Sequence, residues 1–259
     1  MLMLFFAACL SDIRPDAIKN AVDTDASVRG RAMLEAAAEA HGGLDAWNAR
    51  TTVDVAFTDE WFGVYRLAAP WPDATVSVRH RLTLHTFDSE LHFQGEHDGL
   101  VWGVRDWQTW SQRDGQPPES DKNKDARFIL PTMHYFAEFP YRMQEAPVVL
   151  DAGPVELNGV RYQTLFVTWE DTKPRAEWDQ YVLYINPDTG LIDKAHYTVR
   201  EIARFVSGTM HFEDYRLVDG AWMSHAMIVT AEPGDPLDAP LHTVTVASYT
   251  FDPVSATSP

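Results

Sequence analysis

Several features that identify common classes of protein are scarce or missing in this 259-residue sequence. There is a single cysteine, Cys9, which excludes an internal disulfide and a zinc site built on thiolates. No HExxH, GxSxG, P-loop, GxGxxG or paired CxxC motif occurs, so the familiar signatures of catalysis and cofactor binding are missing. After the N-terminus, no apolar run approaches the ~20 residues of a membrane-spanning helix. We therefore predict no cofactor and no metal.

Positive charge is also scarce. The chain has 21 Lys and Arg against 38 Asp and Glu, which gives a formal net charge of −17. Nucleic-acid binding depends on clustered Lys and Arg that release counterions, so the composition argues against a nucleic-acid partner. The same excess of acid argues against electrostatic docking on anionic lipid headgroups. The sequence indicates an acidic protein that is expected to be a monomer.

Ten histidines raise the question of a metal site, because His85, His92 and His97 are close in sequence. By the strand pattern His85 and His92 belong to different strands, and His97 sits near a turn. Solvent-facing polar positions explain the three residues more simply than a shared metal does.

Apolar residues are abundant, at 45% of the chain with 12% aromatic, which is ample for a packed core. A helix is predicted after Ser27, a plausible N-cap, and Gly42-Gly43 supplies a left-handed stop. Its apolar stripe has helical spacing. The stripe consists of Met33, Ala36, Ala37, Ala40 and Leu44.

From Thr51 onward the apolar period changes from helical to two, which predicts β-strands. Residues 74–86 alternate cleanly, as is typical of an antiparallel strand with one wet face. Turn signals such as Asn158-Gly159 and Asp219-Gly220 separate consecutive strands, and no linker divides them, so residues 27–259 are predicted to form one domain. Further strands are predicted near residues 60–68, 89–97, 99–105, 107–113, 147–157, 160–170, 177–186, 191–201, 204–217, 221–232 and 241–251.

Pro131 to Met143 form an aromatic block with helical spacing, which is predicted to break at Pro131 and Pro140 because proline lacks a backbone donor. Such a block must lie against the sheet. It either covers a hollow that holds a ligand or simply fills that hollow, and the sequence leaves both possibilities open. Large apolar side chains with few polar groups are what line such a cavity. The candidate lining and cover residues are Trp61, Trp102, Tyr135, Phe136, Phe139 and Trp178.

The N-terminus resembles the end of a bacterial lipoprotein signal peptide. Residues 1–8 are apolar and end in Ala7-Ala8, directly before Cys9, which would be the site of lipid attachment. No Lys or Arg precedes this run, and the run is short for a signal peptide. We predict that residues 1–9 are the remnant of a signal peptide and that residues 10–26 are a tether.

Motifs spread over residues 27–252 resemble the LolA/LolB-like superfamily of bacterial envelope proteins, and most closely its uncharacterised lipoprotein branch. The resemblance implies a mainly β fold: a single curved antiparallel sheet of about eleven strands, forming an unclosed barrel, with helices covering its concave face. In carriers of this superfamily the hollow receives acyl chains of lipoproteins. The matching pieces are His41-Gly42-Gly43-Leu44-Asp45-Ala46-Trp47, Tyr135-Phe136, Phe139-Pro140, Asn158-Gly159-Val160-Arg161-Tyr162, residues 179–190 and Tyr215-Arg216-Leu217-Val218-Asp219-Gly220.

Together these observations predict a non-enzymatic periplasmic lipoprotein, anchored to the outer membrane through Cys9, that binds an apolar or amphipathic ligand such as a lipid or a lipoprotein acyl chain. An enzyme is an alternative, because His134, Glu138 and Arg142 share one helical face. However, Glu138 and Arg142 are more simply a solvent-facing i,i+4 pair. A structural or interaction module of an envelope assembly is the other alternative. It predicts a filled barrel and an exposed apolar patch.

Overall fold

The computed structural model describes residues 10–20, 24–120 and 123–252. Cys9 and its predicted lipid attachment lie outside the described residues. The helices are α1 Asp16–Asn20, α2 Ala26–Ala40, α3 Leu44–Asn48, α4 Lys124–Ala137 and α5 Phe139–Arg142. The strands are β1 Thr52–Trp61, β2 Thr75–Thr83, β3 Ser89–Phe93, β4 Leu100–Arg105, β5 Gln108–Arg113, β6 Glu119–Ser120, β7 Val148–Leu157, β8 Val160–Thr168, β9 Gln180–Ile185, β10 Ile192–Thr198, β11 Ser207–Val218, β12 Ala221–Thr230 and β13 His242–Phe251.

The described strands form one antiparallel sheet in the order β6-β5-β4-β3-β2-β1-β13-β12-β11-β10-β9-β8-β7. The order begins at β6 and ends at β7, so this sheet is not closed into a barrel. The predicted fold class, a mainly β protein with an unclosed antiparallel sheet, is confirmed. The sheet has thirteen strands where about eleven were expected, and one of these is the two-residue strand β6. Among the described helices, none combines the length and the apolar character needed to cross a membrane.

The described residues divide into two compact units. The first unit comprises residues 10–20, 24–37, 143–211 and 229–239, and therefore strands β7 to β10. The second comprises residues 38–120, 123–142, 212–228 and 240–252, and therefore strands β1 to β6 and β13. Strands β11 and β12 contribute residues to both units. That residues 27–259 behave as one domain stays a prediction.

In the first unit, helices α1 and α2 lie against strand β7. Ile18 of α1 is 4% exposed and belongs to a core cluster with Leu150, Phe166 and Val182. At Gly30 of α2 the backbones meet directly, because a Cβ there would lie 2.7 Å from the backbone nitrogen of Asp151. Part of the segment predicted as a tether therefore packs on the sheet. Its role as a tether stays a prediction.

The end of α2 agrees with the prediction of a glycine stop. The helix ends at Ala40, and Gly42 and Gly43 have φ angles of 129° and 89°. A Cβ on Gly42 would lie 2.5 Å from the carbonyl oxygen of Gly220, so this glycine also allows the chain to approach the β11–β12 turn. The helix begins at Ala26, so Ser27 lies inside its first turn and is not the N-cap.

The strand predicted near residues 60–68 is wrong. Strand β1 ends at Trp61, and a 3-10 helix, Gly63–Ala68, follows it. Gly63 has a φ of +52°, a conformation that turns the chain out of the extended region. The aromatic and β-branched residues of this stretch favoured a strand locally, but the glycine ends the strand.

The predicted break at Pro131 is also wrong. Helix α4 begins at Lys124, where the side chain of Asn123 caps it by accepting a hydrogen bond of 2.9 Å from the backbone of Asp125. The helix continues through Pro131 to Ala137 and packs against strands β3, β4 and β5. The second proline, Pro140, lies in the first turn of α5, where its missing N–H costs nothing.

Candidate functional site

The first unit contains an open groove with a volume of about 450 Å³. One wall is the N-terminal segment of residues 13–17, and the floor is formed by strands β7, β9 and β10. The residues that line it are Ile13, Arg14, Pro15, Asp16, Ala17, Ala152, Val155, Val182, Tyr184 and His196.

The N-terminal wall is held to its unit by main-chain and side-chain hydrogen bonds. The backbone N–H of Ser11 donates to the carbonyl of Arg204 at 3.0 Å, and Arg200 donates to the carbonyl of Ser11 at 2.6 Å. The backbone N–H of Ile13 donates to the side-chain oxygen of Gln180 at 3.3 Å. The segment is therefore positioned by long-range contacts, which fix the height of the wall above the sheet.

The floor is apolar, with two polar side chains among its residues. Val182 and His196 are paired in register on neighbouring strands, so their side chains share a face. Tyr184 is also on this face and packs edge to face against Tyr162, with ring centroids 5.9 Å apart. The Nδ1 atom of His196 lies 2.8 Å from the hydroxyl oxygen of Thr209.

Both polar side chains of the floor are uncharged at neutral pH. Burial lowers the pKa of His196, and a smaller effect of the Glu232 charge opposes this. Burial, together with the charge of Glu232, raises the pKa of Tyr184 to about 12. The groove therefore offers hydrogen-bonding groups above an apolar floor, which is the composition expected of a site for a small apolar or amphipathic molecule.

The three cover residues predicted from the helical block come together in the second unit. The rings of Phe136 and Phe139 stack with centroids 5.4 Å apart, and Phe139 packs against Phe212 at 5.3 Å. Tyr135 meets Phe139 edge to face at 5.8 Å. Phe136 and Phe139 are 6% and 1% exposed, so these rings fill space inside their own unit.

The three predicted tryptophans do not join that cluster. Trp61 stacks on His242 with centroids 4.2 Å apart, and Trp102 stacks on Trp71 at 6.2 Å. Trp178 belongs to the first unit, is 42% exposed and donates a hydrogen bond to Glu170. None of the six predicted residues lines the groove of the first unit. A ligand-binding role for them stays a prediction.

A buried polar cluster lies where a solvent-facing pair was expected. His134, Glu138 and Arg142 are 0%, 1% and 5% exposed. Glu138 accepts hydrogen bonds from Arg142 at 2.9 Å and from the indole N–H of Trp47 at 3.2 Å, and Arg142 also donates to the carbonyl of Thr86. The pair has the expected i,i+4 spacing, but it faces inward.

The neighbours of Glu138 keep its carboxylate charged in spite of burial. Burial by itself raises the pKa of Glu138, but His134, whose Nε2 lies 2.8 Å from Oε1, and Arg142 together outweigh it and hold that pKa below its ordinary value. This carboxylate joins α3, through Trp47, to the junction of α4 and α5. Its observed contacts are those of a structural residue that holds these helices together.

A second buried carboxylate, which the sequence reasoning missed, lies in the second unit. Asp59 is 0% exposed and accepts hydrogen bonds from Trp71 at 2.7 Å, from Trp61 at 3.1 Å and from His242 at 2.8 Å. These bonds fix the end of β1 to β13 and orient the stacked pair of Trp61 and His242. The sequence signal was only an acid at a strand end.

The three histidines considered for a metal site have separate partners. His85 contacts the carbonyl of Arg50 at 3.1 Å, His92 contacts Glu90 and His97 contacts Asp73. Within the described residues no group of three or more potential ligands is arranged to hold a metal ion.

No protein-family profile and no curated protein sequence matches this chain. Among the solved structures that resemble it over most of its length are the following three. A DUF1329 family protein from Desulfovibrio piger has a TM-score of 0.55 at 13% identity, covering 91% of this chain and 96% of that one. A putative outer membrane lipoprotein-sorting protein domain from Vibrio parahaemolyticus has a TM-score of 0.54 at 12% identity, covering 90% and 95%. A LolA superfamily protein from Nitrosomonas europaea has a TM-score of 0.51 at 12% identity, covering 86% and 93%. At such low identity the likeness concerns the fold, and the predicted LolA-like fold is confirmed.

Proposed function

We propose that this chain, which has a LolA-like fold, is a non-enzymatic bacterial envelope lipoprotein that binds an apolar or amphipathic ligand in the groove beside residues 13–17. The proposal includes lipid attachment at Cys9, a periplasmic location and anchoring to the outer membrane. The resemblance to a structure described as an outer membrane lipoprotein-sorting domain supports the location and the class of ligand.

The observation that carries this proposal is the groove itself. Its volume of about 450 Å³ lies within the ~300–1,000 Å³ usual for small-molecule sites. Its floor includes buried Ala152 and Val182, with Tyr184 and His196 as its polar groups. Affinity would come from removing acyl surface from water, at about 0.8 kcal/mol for each buried methylene.

Two measurements test the proposal. Mass spectrometry of protein purified under native conditions should detect a bound lipid, and a fluorescent apolar dye should bind to protein from which that lipid has been extracted. Ala17→Trp places a large side chain at an exposed lining position and should weaken dye binding. Asn20→Trp, at an exposed position of the same helix outside the lining, is the control and should bind normally. A protein that carries no lipid and ignores the dye would contradict the proposal.

A second function, docking to a partner protein, is favoured by one specific feature. The 3-10 helix after β1 exposes Val64, Tyr65 and Leu67 to 76%, 44% and 94%, next to the charged Arg66. Apolar side chains exposed together in this way are typical of an interaction surface. A photo-crosslinking residue at Leu67 should capture a defined partner in cells. The same residue at Leu217, which is 60% exposed in β11, should not capture it.

A further inference from the structure

The charges around the groove narrow the class of ligand. Arg14 is the only described lining residue with a permanent positive charge. Its guanidinium makes two hydrogen bonds to Asp12, Nε to Oδ1 at 2.9 Å and Nη2 to Oδ2 at 2.8 Å. The hydrogen bond from Arg14 is the largest influence on the pKa of Asp12 and lowers it, so the acid is ionised and the pair is neutral as a whole. The cation of the groove is therefore already compensated.

The other charged residue that lines the groove, Asp16, is acidic. The charge of Glu232 acts on both Tyr184 and His196. A carboxylate or phosphate brought to the floor would lose its hydration and would find no uncompensated cation among the described lining residues. A hydroxyl, ester or amide would lose far less, because the neutral tyrosine and histidine can exchange hydrogen bonds with it.

A buried cation on the same face, Lys194, is directed elsewhere. It is paired in register with Tyr184, but it is not a lining residue. Its Nζ lies 3.1 Å from Nδ1 of His211 and 5.8 Å from the ring centroid of Tyr162. It is therefore not one of the groups that a ligand in the groove would contact directly.

We infer that the groove selects amphiphiles whose head group is uncharged and forms hydrogen bonds over amphiphiles of the same chain length whose head group is an anion. This inference rests on the proposed ligand-binding function and adds the chemical class of the head group. The apolar floor accommodates the hydrocarbon chain of the ligand. The lining, whose cation is already paired with an acid, sets the preference for an uncharged head group.

Competition between two amphiphiles of equal chain length tests the inference. The neutral dye N-phenyl-1-naphthylamine is bound first and then displaced by monolaurin or by laurate at pH 7.5. Monolaurin should displace it at a concentration about tenfold lower, which corresponds to about 1.4 kcal/mol. Displacement by laurate at an equal or lower concentration would overturn the inference while leaving the ligand-binding function intact. If the dye does not bind at all, the proposed function fails and the inference fails with it.

A variant that lacks the negative charge of Asp12 is expected to bind the anionic amphiphile more tightly than the wild-type protein does. Asp12→Asn keeps an oxygen that can accept from the backbone N–H of Arg14 but removes the negative charge that compensates the guanidinium, so laurate should bind about fivefold tighter and monolaurin should be unchanged. Asp214→Asn is the matched control, because Asp214 forms the same i,i+2 pair with Arg216 and does not line the groove. Unchanged laurate binding in Asp12→Asn, with normal monolaurin binding, would contradict the assignment of Arg14 as the compensated cation.

Discussion

At the scale of single residues, two ion pairs with the same i,i+4 spacing differ in how much they contribute to stability. Glu138 and Arg142 are almost completely buried, whereas Asp171 and Arg175 are 37% and 52% exposed in their side chains. The exposed pair is screened by water and contributes little. The buried pair has already lost its hydration, so each partner depends on the other for compensation. The two pairs look alike in sequence and differ in what surrounds them.

We predict that Glu138→Gln destabilises the protein by about 3 kcal/mol, because it leaves Arg142 charged and buried without its carboxylate. Urea denaturation at pH 7.5 measures this loss. Asp171→Asn breaks the exposed pair with the same spacing and should leave the urea midpoint unchanged. Equal effects of the two substitutions would show that burial of the Glu138–Arg142 pair does not affect stability.

The inward orientation of Glu138 could not be predicted from its own helix. Its indole partner, Trp47, is 91 positions away in the chain, and Arg142 also reaches the loop at Thr86. Helical periodicity places His134, Glu138 and Arg142 on one face but does not say which side that face takes. Only the contacts between α3, α4 and the sheet decide it.

At the scale of elements, the packing of α2 on β7 depends on the absence of a side chain at one position. Gly30 lies in the middle of the helix, where alanine would raise helix propensity by about 1 kcal/mol. However, a Cβ at this position would lie 2.7–2.9 Å from backbone atoms of Leu150 and Asp151, which cannot move aside as a flexible side chain could. Tertiary contact therefore opposes local propensity.

We predict that Gly30→Ala destabilises the protein although it favours the helix, because α2 must shift away from β7. Val28→Ala is the control: Val28 is 72% exposed in the same helix, so the substitution should stabilise by a few tenths of a kcal/mol through propensity alone. Thermal unfolding of the two variants shows whether each substitution raises or lowers the melting temperature. A higher melting temperature for Gly30→Ala would contradict the close approach of α2 and β7.

The contrast between local propensity and tertiary contact also explains which parts of the fold were predictable from sequence. Alternating periodicity, as in residues 74–86, identified most strands because it reflects a local preference for one wet and one dry face. It was misleading for residues 60–68, where Gly63 turns the chain into a 3-10 helix. The groove was not predictable, because residues 13–17 reach it through long-range contacts such as that of Ile13 with Gln180.

At the scale of the whole molecule, two effects of pH oppose each other. The net charge of −17 produces self-repulsion at neutral pH, and acidification toward the pI of about 4.8 relieves it. Acidification also has a destabilising effect, because burial holds the pKa of four histidines below its ordinary value. It lowers the pKa of His41 and of His211 to about 4, lowers that of His80 well below its ordinary range, and lowers that of His196.

The sign of the histidine contribution follows from the unfolded chain. Below about pH 6.5 the unfolded imidazoles bind protons that the folded ones reject, so their stabilising contribution is complete above pH 6.5 and is lost as pH falls toward 4. For a folded pKa near 4, each histidine lowers the free energy of unfolding by about 2 kcal/mol between pH 7.5 and 5. Asp179 and Asp193, whose pKa burial raises, act in the opposite direction.

Salt separates the two effects and provides the last prediction. In 1 M NaCl charges are screened beyond about 3 Å, so the histidine contribution should dominate and the free energy of unfolding should fall by several kcal/mol between pH 7.5 and 5. In 20 mM NaCl the relief of repulsion offsets part of this fall, so the decline should be shallower. Urea denaturation at both pH values and both salt concentrations measures the four free energies. His41→Asn, whose amide nitrogen takes the position of Nδ1 and can still donate to the carbonyl of Trp222, should reduce the decline in 1 M NaCl by about 2 kcal/mol. A decline that is steeper in low salt, or one that His41→Asn leaves unchanged, would mean that buried imidazoles do not control the acid sensitivity of this fold.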